Sequence, residues 1–341
     1  MRPDPASHSP APGVGSLPVG PGDQGEAVRD IQHRLTALGF DVAGDESGSY
    51  GPATESAVKY FQEQRGLRVD GICGRDTWSS LVEAGYALGN RLLYLRQPML
   101  RGDDVGGLQR RLSSLGFDAG RIDGMFGPET GRALEDFQRN AGLTVDGVCG
   151  PATLAALERF GSRREGAAST VAAVREAESL RRAPRTLVGL RVVVGQGGGL
   201  DALARALARR LTHAGAIATV SLHPDGSEQA AEANAAGAHV FVGVELDPDD
   251  ARSTTAYYAR SDYESAGGRH LAELVQDRVP GCLGVKDGGI RGMSVPALRE
   301  TRMPAIVCEV GPATVVVEHT GELARTLTRA FSRWVEAPAD R

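Results

Sequence analysis

Residues 192–201 read VVVGQGGGLD: three β-branched residues, then glycines broken by Gln196, then an acid. A strand that runs through glycines into a helix leaves backbone N–H groups free at the helix start, a common place to hold an anion. The spacing here fails the nucleotide-binding versions of that turn. A dinucleotide fingerprint is G-x-G-x-x-G, and counted from Gly195 its third glycine falls on Leu200. A P-loop closes with Gly-Lys-Ser/Thr, and this turn has none. Asp201, at the head of the predicted helix, would repel a phosphate. The other pair with catalytic chemistry is Cys308-Glu309, a thiol next to a carboxylate. Neighbours along a strand face opposite sides, so the two do not cooperate, and Cys308 is expected in the core. His213, His223, His239, His270 and His319 show no HxxE, HxH or HExxH spacing and read as surface or packing residues.

The chain around these residues has 341 residues, 41% hydrophobic and 24% charged, with a formal net charge of −5. That length supports two or three domains with cores of their own. The mild acidity argues against nucleic acid or an anionic membrane as the main partner. No run of about 18 apolar residues exists to span a bilayer. Residues 1–20, rich in Pro, Ser and Gly, lack the apolar segment of a secretion signal and read as a disordered leader. Cys73, Cys149, Cys282 and Cys308 form no CxxC pattern, which fits buried thiols in a reducing, cytoplasmic setting. Export by an unrecognised route is the alternative.

An internal repeat is the strongest signal. Tyr50-Gly51-Pro52 recurs 76 residues on as Phe126-Gly127-Pro128, and the same offset relates Phe61-Gln62 to Phe137-Gln138 and Asp70-Gly71 to Asp146-Gly147. Each copy reads as three short helices. In the second, Val105, Leu108, Leu112 and Leu115 keep a helical period, and Pro128 and Pro151 sit where a helix start tolerates a missing N–H. Cys73 and Cys149 occupy equivalent turns and are expected to be packed rather than bridged.

The patterns LQxRLxxLGF, DGxFGPxT and FQxxxGLxVDGxxGPxT resemble the peptidoglycan-binding three-helix domain that accompanies many cell-wall hydrolases. The resemblance places repeats at 21–86 and 98–161. It implies a shallow groove for wall glycan or stem peptide, with Asp70, Gly71 and Trp78 in the first copy and Asp123, Gly124, Phe126, Asp146 and Gly147 in the second as candidate binding residues. The first copy departs at ESGSYG, where the second has IDGMFG. A helical spacer without a ligand is the alternative.

After a polar linker (162–186), strands and helices alternate over 187–336, the mark of one three-layer α/β domain, before a short tail at 337–341. Strands are expected at Leu190–Val194, Ile217–Leu222, Val240–Val244, Thr254–Tyr258 and Ala305–Val310. Helices are expected at Asp201–Ala214, Ser227–Ala236, Gly267–Val279 and Gly321–Trp334. The segment LRETRMPAIVCEVG and its surroundings resemble the zinc-dependent N-acetylmuramoyl-L-alanine amidases, which remove the peptide stem from muramic acid. In that family two histidines and a glutamate hold zinc, which activates water, and a second glutamate handles the proton. The resemblance maps the first histidine to Gln196 or, with a one-residue slide, to Gly197. The ligand glutamate maps near Gly199, with Asp201 the nearest acid, and the second histidine maps to Glu245. Only the proton-handling residue is retained, as Glu309. Oxygen donors at Glu245, Glu309 and Asp201 would suit Mg²⁺ or Ca²⁺ better than zinc, so no zinc cofactor is expected here.

The expectation is therefore a zinc-less relative of the wall amidases that binds peptidoglycan or its precursors and regulates or scaffolds wall synthesis. The resemblance extends to an actinobacterial branch thought to act inside the cell, where wall-synthesis proteins would be its partners. An active amidase with an unconventional metal site is the alternative. Ser169 and Thr170 offer phosphorylation sites in the linker.

Overall fold

A computed structural model describes residues 17–161, 176–247, 251–260 and 263–337. Residues 1–16 of the expected leader, Ser169 and Thr170 of the linker, and most of the tail lie outside these residues. Two compact units emerge: one holds the first repeat with Arg101–Val105, and the other holds Leu92–Leu100 and the second repeat from Gly106 together with the α/β domain.

The first repeat consists of α1 (Glu26–Ala37), α2 (Pro52–Arg65) and α3 (Arg75–Ala84). Val28, Ile31 and Leu35 of α1 pack with Val58, Phe61 and Leu81 to form its core. Pro52 opens α2, and Gly66 closes it in the left-handed conformation. Val19 belongs to this fold as well. It is 4% exposed and pairs antiparallel with Cys73, so the packed part of the repeat starts ahead of position 21.

The second repeat repeats the plan with α4 (Asp103–Ser114), α5 (Pro128–Asn140) and α6 (Pro151–Gly161). Leu108, Leu112, Phe126, Leu134, Phe137 and Leu157 fill its core. Leu93 pairs with Cys149 as Val19 does with Cys73, which moves the start of this copy ahead of position 98. All four cysteines are free thiols. Burial pushes the Cys73 thiol up to about 12, out of the reactive range.

The α/β domain runs β1 (Arg191–Gln196), α7 (Asp201–His213), β2 (Ile217–Ser221), α8 (Gly226–Ala235), β3 (Val240–Leu246), β4 (Arg252–Arg260) and β5 (Tyr263–Glu264). It continues through α9 (Ala266–Gln276), α10 (Val279–Leu283), β6 (Lys286–Met293), α11 (Pro296–Arg299), β7 (Ala305–Val310) and α12 (Ala313–Glu336). The strand order is β2-β1-β3-β7-β4-β5, with β6 also paired to β4. Strands β1, β2, β3 and β7 are parallel, while β4 runs antiparallel to β7. One face of the sheet presents Val192, Val194, Val242, Ile306 and Cys308 to α7, α9, α10 and α12. The other presents Val193, Phe241, Ala256, Ala305 and Val307 to α8 and α11. This is the expected three-layer sandwich.

The details depart from the sequence reading in several places, among them the short β5 and α11, which were not expected. The helix expected at Gly267–Val279 is two helices, because Pro280 starts a new one. The last helix starts at Ala313, eight residues ahead of the expected Gly321, across the β-branched run Thr314–Val317, whose helix propensity is low. Strand β6, sequence KDGGIRGM, carries no alternating apolar pattern and forms through its pairing with β4. The end of the expected linker also joins this domain. Leu180 is 7% exposed in its core, and Glu176 accepts hydrogen bonds from Ser265 Oγ and the Gly267 amide at 2.6 and 3.2 Å.

Candidate functional site

One device appears four times in the helical repeats. Gln62 of α2 donates from Nε2 to Asp70 Oδ1 (2.8 Å), the Ile72 carbonyl (3.0 Å) and Thr77 Oγ1 (3.0 Å). Its Oε1 accepts from the amides of Asp70 and Gly71 at 3.2 and 2.9 Å. Gln138 does the same with Asp146, Val148, Thr153 and Gly147. Gln109 repeats it with Asp123, Met125, Thr130 and Gly124. Gln32 makes the fourth version with Thr54, Gly48 and the Ser49 carbonyl, but bonds the Glu46 carbonyl where the others find an aspartate. A buried glutamine thus ties each glycine turn to the helix that follows, with every polar atom satisfied.

These turns contain most of the expected binding residues. Asp70 and Asp146 are exposed at their edges, each accepting from the amide two residues ahead at 2.8 and 2.9 Å. Asp123 lies deeper. Burial raises its carboxyl above the ordinary range, hydrogen bonds from Gln109 and the Met125 amide pull it down, and Glu300 and Arg299 act on it in opposite directions. Phe126 is fully buried, and Trp78 is 9% exposed with the Arg34 guanidinium 4.9 Å from its ring centre. The glutamines were not singled out in the sequence, although they stand in the quoted LQxRL and FQxxxG motifs. The threonines stand likewise in GPxT.

The glycine turn after β1 is braced from within. Gln196 is 5% exposed, accepts from the Gly198 amide at 2.7 Å and lies 3.5 Å from Asp201 Oδ1. Gln229 of α8 donates to the Gln196 and His223 carbonyls at 2.9 and 2.7 Å. That glutamine explains Gly195, because a Cβ there would fall 2.2 Å from Gln229 Oε1 and 2.8 Å from the Phe241 ring. Gly199, at φ +75, turns the chain into α7, and Asp201 sits exposed in the first turn of that helix.

Glu245 of β3 and Glu309 of β7 are direct register partners, and Thr254 of β4 pairs with Glu309 on the other side. Register partners project from the same face, so Glu245, Glu309 and Thr254 share the α8 side of the sheet. Gln196 is in register with Val244, which pairs with Cys308 on the opposite face. The position above Glu245 is Gly197 instead, whose Cβ would lie 3.3 Å from Glu245 Cγ. Of the two places considered for a first histidine, Gly197 is the one that faces the carboxylates. Cys308 is in the core, 1% exposed, with its thiol pushed up to about 12 by burial.

This donor set does not fit zinc. Gly197 and Gly199 carry no donor, and the Gln196 carboxamide already serves the turn. Two adjacent carboxylates offer hard oxygen where zinc sites supply imidazole or thiolate. Among the described residues no group of three His, Cys, Asp or Glu side chains gathers at one metal position. His223, ahead of α8, has another task, its Nδ1 accepting from the Asp225 amide at 3.1 Å; His239 accepts from the Arg191 amide at 3.1 Å at the opposite end of β3 from Glu245. What remains is a pair of carboxylates at the carboxyl ends of parallel strands, beside a glycine turn, able to accept hydrogen bonds from amides, amines or hydroxyls.

Two three-helix repeats ahead of this α/β sandwich define a wall-amidase architecture with wall-binding modules. The peptidoglycan binding domain model matches residues 24–81 and 101–157, and the N-acetylmuramoyl-L-alanine amidase model matches 200–319. The chain is 34% identical over 347 residues to the N-acetylmuramoyl-L-alanine amidase CwlM of Mycobacterium tuberculosis, covering 90% of this chain and 85% of that one. It therefore belongs to the N-acetylmuramoyl-L-alanine amidase family. It is also 34% identical over 146 residues to the amidase CwlL of Bacillus licheniformis, 37% of this chain and 41% of that relative. An amidase structure from Clostridium difficile 630 aligns with 44% of this chain and 98% of its own at 22% identity, with a TM-score of 0.39.

Proposed function

We propose that this chain is a pseudo-amidase that binds peptidoglycan or its precursors and regulates or scaffolds cell-wall synthesis. The observation that carries this reading is the exchange of metal chemistry for turn chemistry after β1. Gln196 braces the loop it stands in, and Gly197 faces Glu245 and Glu309 with no side chain to offer. Without a Lewis acid the family's amide hydrolysis loses both its activated water and its polarised carbonyl. Glu309 keeps the place of the proton-handling residue but is left without a metal-bound water to act on. The domain's role in this reading is recognition rather than chemistry. Four free cysteines suit a reducing compartment, where soluble or lipid-linked precursors would be the ligands and wall-synthesis proteins the partners.

The family's hydrolytic activity, retained with an unconventional metal, is the competing reading, and Glu309 is the residue that favours it. Metal analysis of the purified chain together with digestion of isolated sacculi separates the two. We expect substoichiometric zinc, no release of stem peptides, and saturable binding of muropeptides or lipid-linked precursor. Stoichiometric zinc with free stem peptides in the supernatant would establish the amidase and end the pseudoenzyme reading.

A further inference from the structure

The loop of the second repeat that should face a wall ligand faces the α/β domain instead. Arg121 donates from Nη1 to the carbonyls of Leu298, at 3.3 Å, and Thr301. Its guanidinium lies 4.4 Å from the ring centre of Tyr258 and 5.7 Å from that of Tyr263. A neighbouring contact runs the other way, with Arg260 donating to the Ile122 carbonyl at 3.0 Å. The receiving surface is built, not incidental. Tyr258 is 1% exposed, and the Tyr263 hydroxyl is held by the Glu176 carboxylate that also binds Ser265 and caps the start of α9. Two backbone carbonyls at the end of α11 and two aromatic faces form a receptor for a planar cation with several donors, which is what an arginine supplies and a lysine does not.

We infer that Arg121 pins the second repeat to the α/β domain and that the docked loop, with Asp123 and Gly124, is thereby withheld from a wall ligand. Capture of the wall or its precursors then falls to other surfaces, the first repeat foremost, unless the pin is released. The matching place in the first repeat supports this. There the residue is Asp45, which turns inward and accepts from the amides of Gly51, Ala53 and Thr54. The arginine is thus peculiar to the copy whose loop lies against the α/β domain. The occlusion half of the inference rests on the wall-binding reading of the repeats; the pin itself does not.

The test uses the full chain as wild type and as Arg121→Ala, Arg121→Lys and Arg132→Ala, the last removing an exposed arginine of α5 as a control. Amide hydrogen exchange is followed in residues 119–126 and 298–303, and retention on insoluble sacculi is measured in parallel. Loss of the forked, charge-assisted contact should speed exchange in both segments about tenfold in Arg121→Ala. Arg121→Lys should fall between, Arg132→Ala should match wild type, and exchange in the strands of the sheet should not change, which excludes misfolding. Retention on sacculi should rise in step with the opening. Unchanged exchange in both segments would overturn the pin. Faster exchange without greater retention would overturn the occlusion. If no chain, wild type included, is retained on sacculi, the wall-binding reading and the occlusion fall together, while the exchange data still decide on the pin.

Discussion

Positions 45 and 121 stand three residues ahead of equivalent loop glycines, Gly48 and Gly124, in the two repeats, yet they carry opposite charges and point in opposite directions. Asp45 serves its own repeat by satisfying the first-turn amides of α2. Arg121 leaves its repeat and reaches carbonyls of the α/β domain. The glutamine ties beneath the loops are nearly identical in the two copies. The scaffold was therefore duplicated faithfully, and the divergence is concentrated in side chains that either complete the repeat or spend themselves on a neighbour.

The comparison fails first if the scaffolds differ. Gln62→Ala and Gln138→Ala each remove a buried side chain that makes several hydrogen bonds and strand an aspartate, a threonine and turn amides. Each should cost about 3 kcal/mol in denaturant unfolding, with the two values close to one another. Unequal losses would mean that the second repeat leans on its neighbour for stability, not merely for position.

That scaffold was legible in sequence for plain reasons. Glycine and proline at the helix boundaries and apolar residues at helical spacing recur at a fixed offset, and the buried strands of the α/β domain are short apolar runs such as AIVCEV. The second tier was hidden. Arg121, Tyr258 and Tyr263 are separated widely in the chain, and no periodicity links a loop arginine to its receptor. Strand β6 has two adjacent glycines and a charged start, so only its pairing with β4 reveals it. In the candidate site, Glu245 and Glu309 were placed by resemblance alone. Their face had to come from register, which also moved attention from Gln196 to Gly197 because a single-residue step along a strand changes sides.

Within the turn after β1 the two glycines that flank Gln196 sharpen the same contrast between inward and outward roles. Gly195→Ala drives a methyl into Gln229 and Phe241 and should destabilise the domain by about 2–3 kcal/mol. Gly197→Ala meets only the Glu245 stem at 3.3 Å and should cost less than about 1 kcal/mol. Thermal unfolding of both variants decides the point. Equal costs would show that Gly197 is required by the backbone and is not a position left open beside the carboxylates.

Asp45→Ala measures the inward role directly. It strips the side chain that bonds three amides at the start of α2, and a loss of about 1–2 kcal/mol is expected from the size of helix-cap effects. Arg121→Ala should leave α5 intact, because no cap is lost there. Helix-specific hydrogen exchange should show α2 fraying in the first variant and α5 unchanged in the second.

The smallest effect is also the sharpest in sign. Burial tends to raise the Asp45 carboxyl, but hydrogen bonds from Thr54, Ala53 and Gly51 outweigh it and hold the folded pKa below the ordinary value. Its contribution is present above the unfolded carboxylate pKa of about 3.9 and is lost as pH falls through the lowered folded value. Asp123 is shifted the other way, raised chiefly by burial. Its protonated form is the one the fold prefers, so its contribution is present below about pH 3.9 and fades as pH rises through the raised folded value. Asp45→Asn should therefore be less stable than wild type at neutral pH, with the gap closing on strong acidification. Asp123→Asn keeps an oxygen acceptor for Gln109 and the Met125 amide without a charge to desolvate, and should equal or exceed wild type at neutral pH, with that advantage shrinking as pH falls. Melting temperatures of the three chains from roughly pH 7 down to pH 3 test both slopes, and slopes of the same sign would erase the distinction between the inward loop of the first repeat and the docked loop of the second.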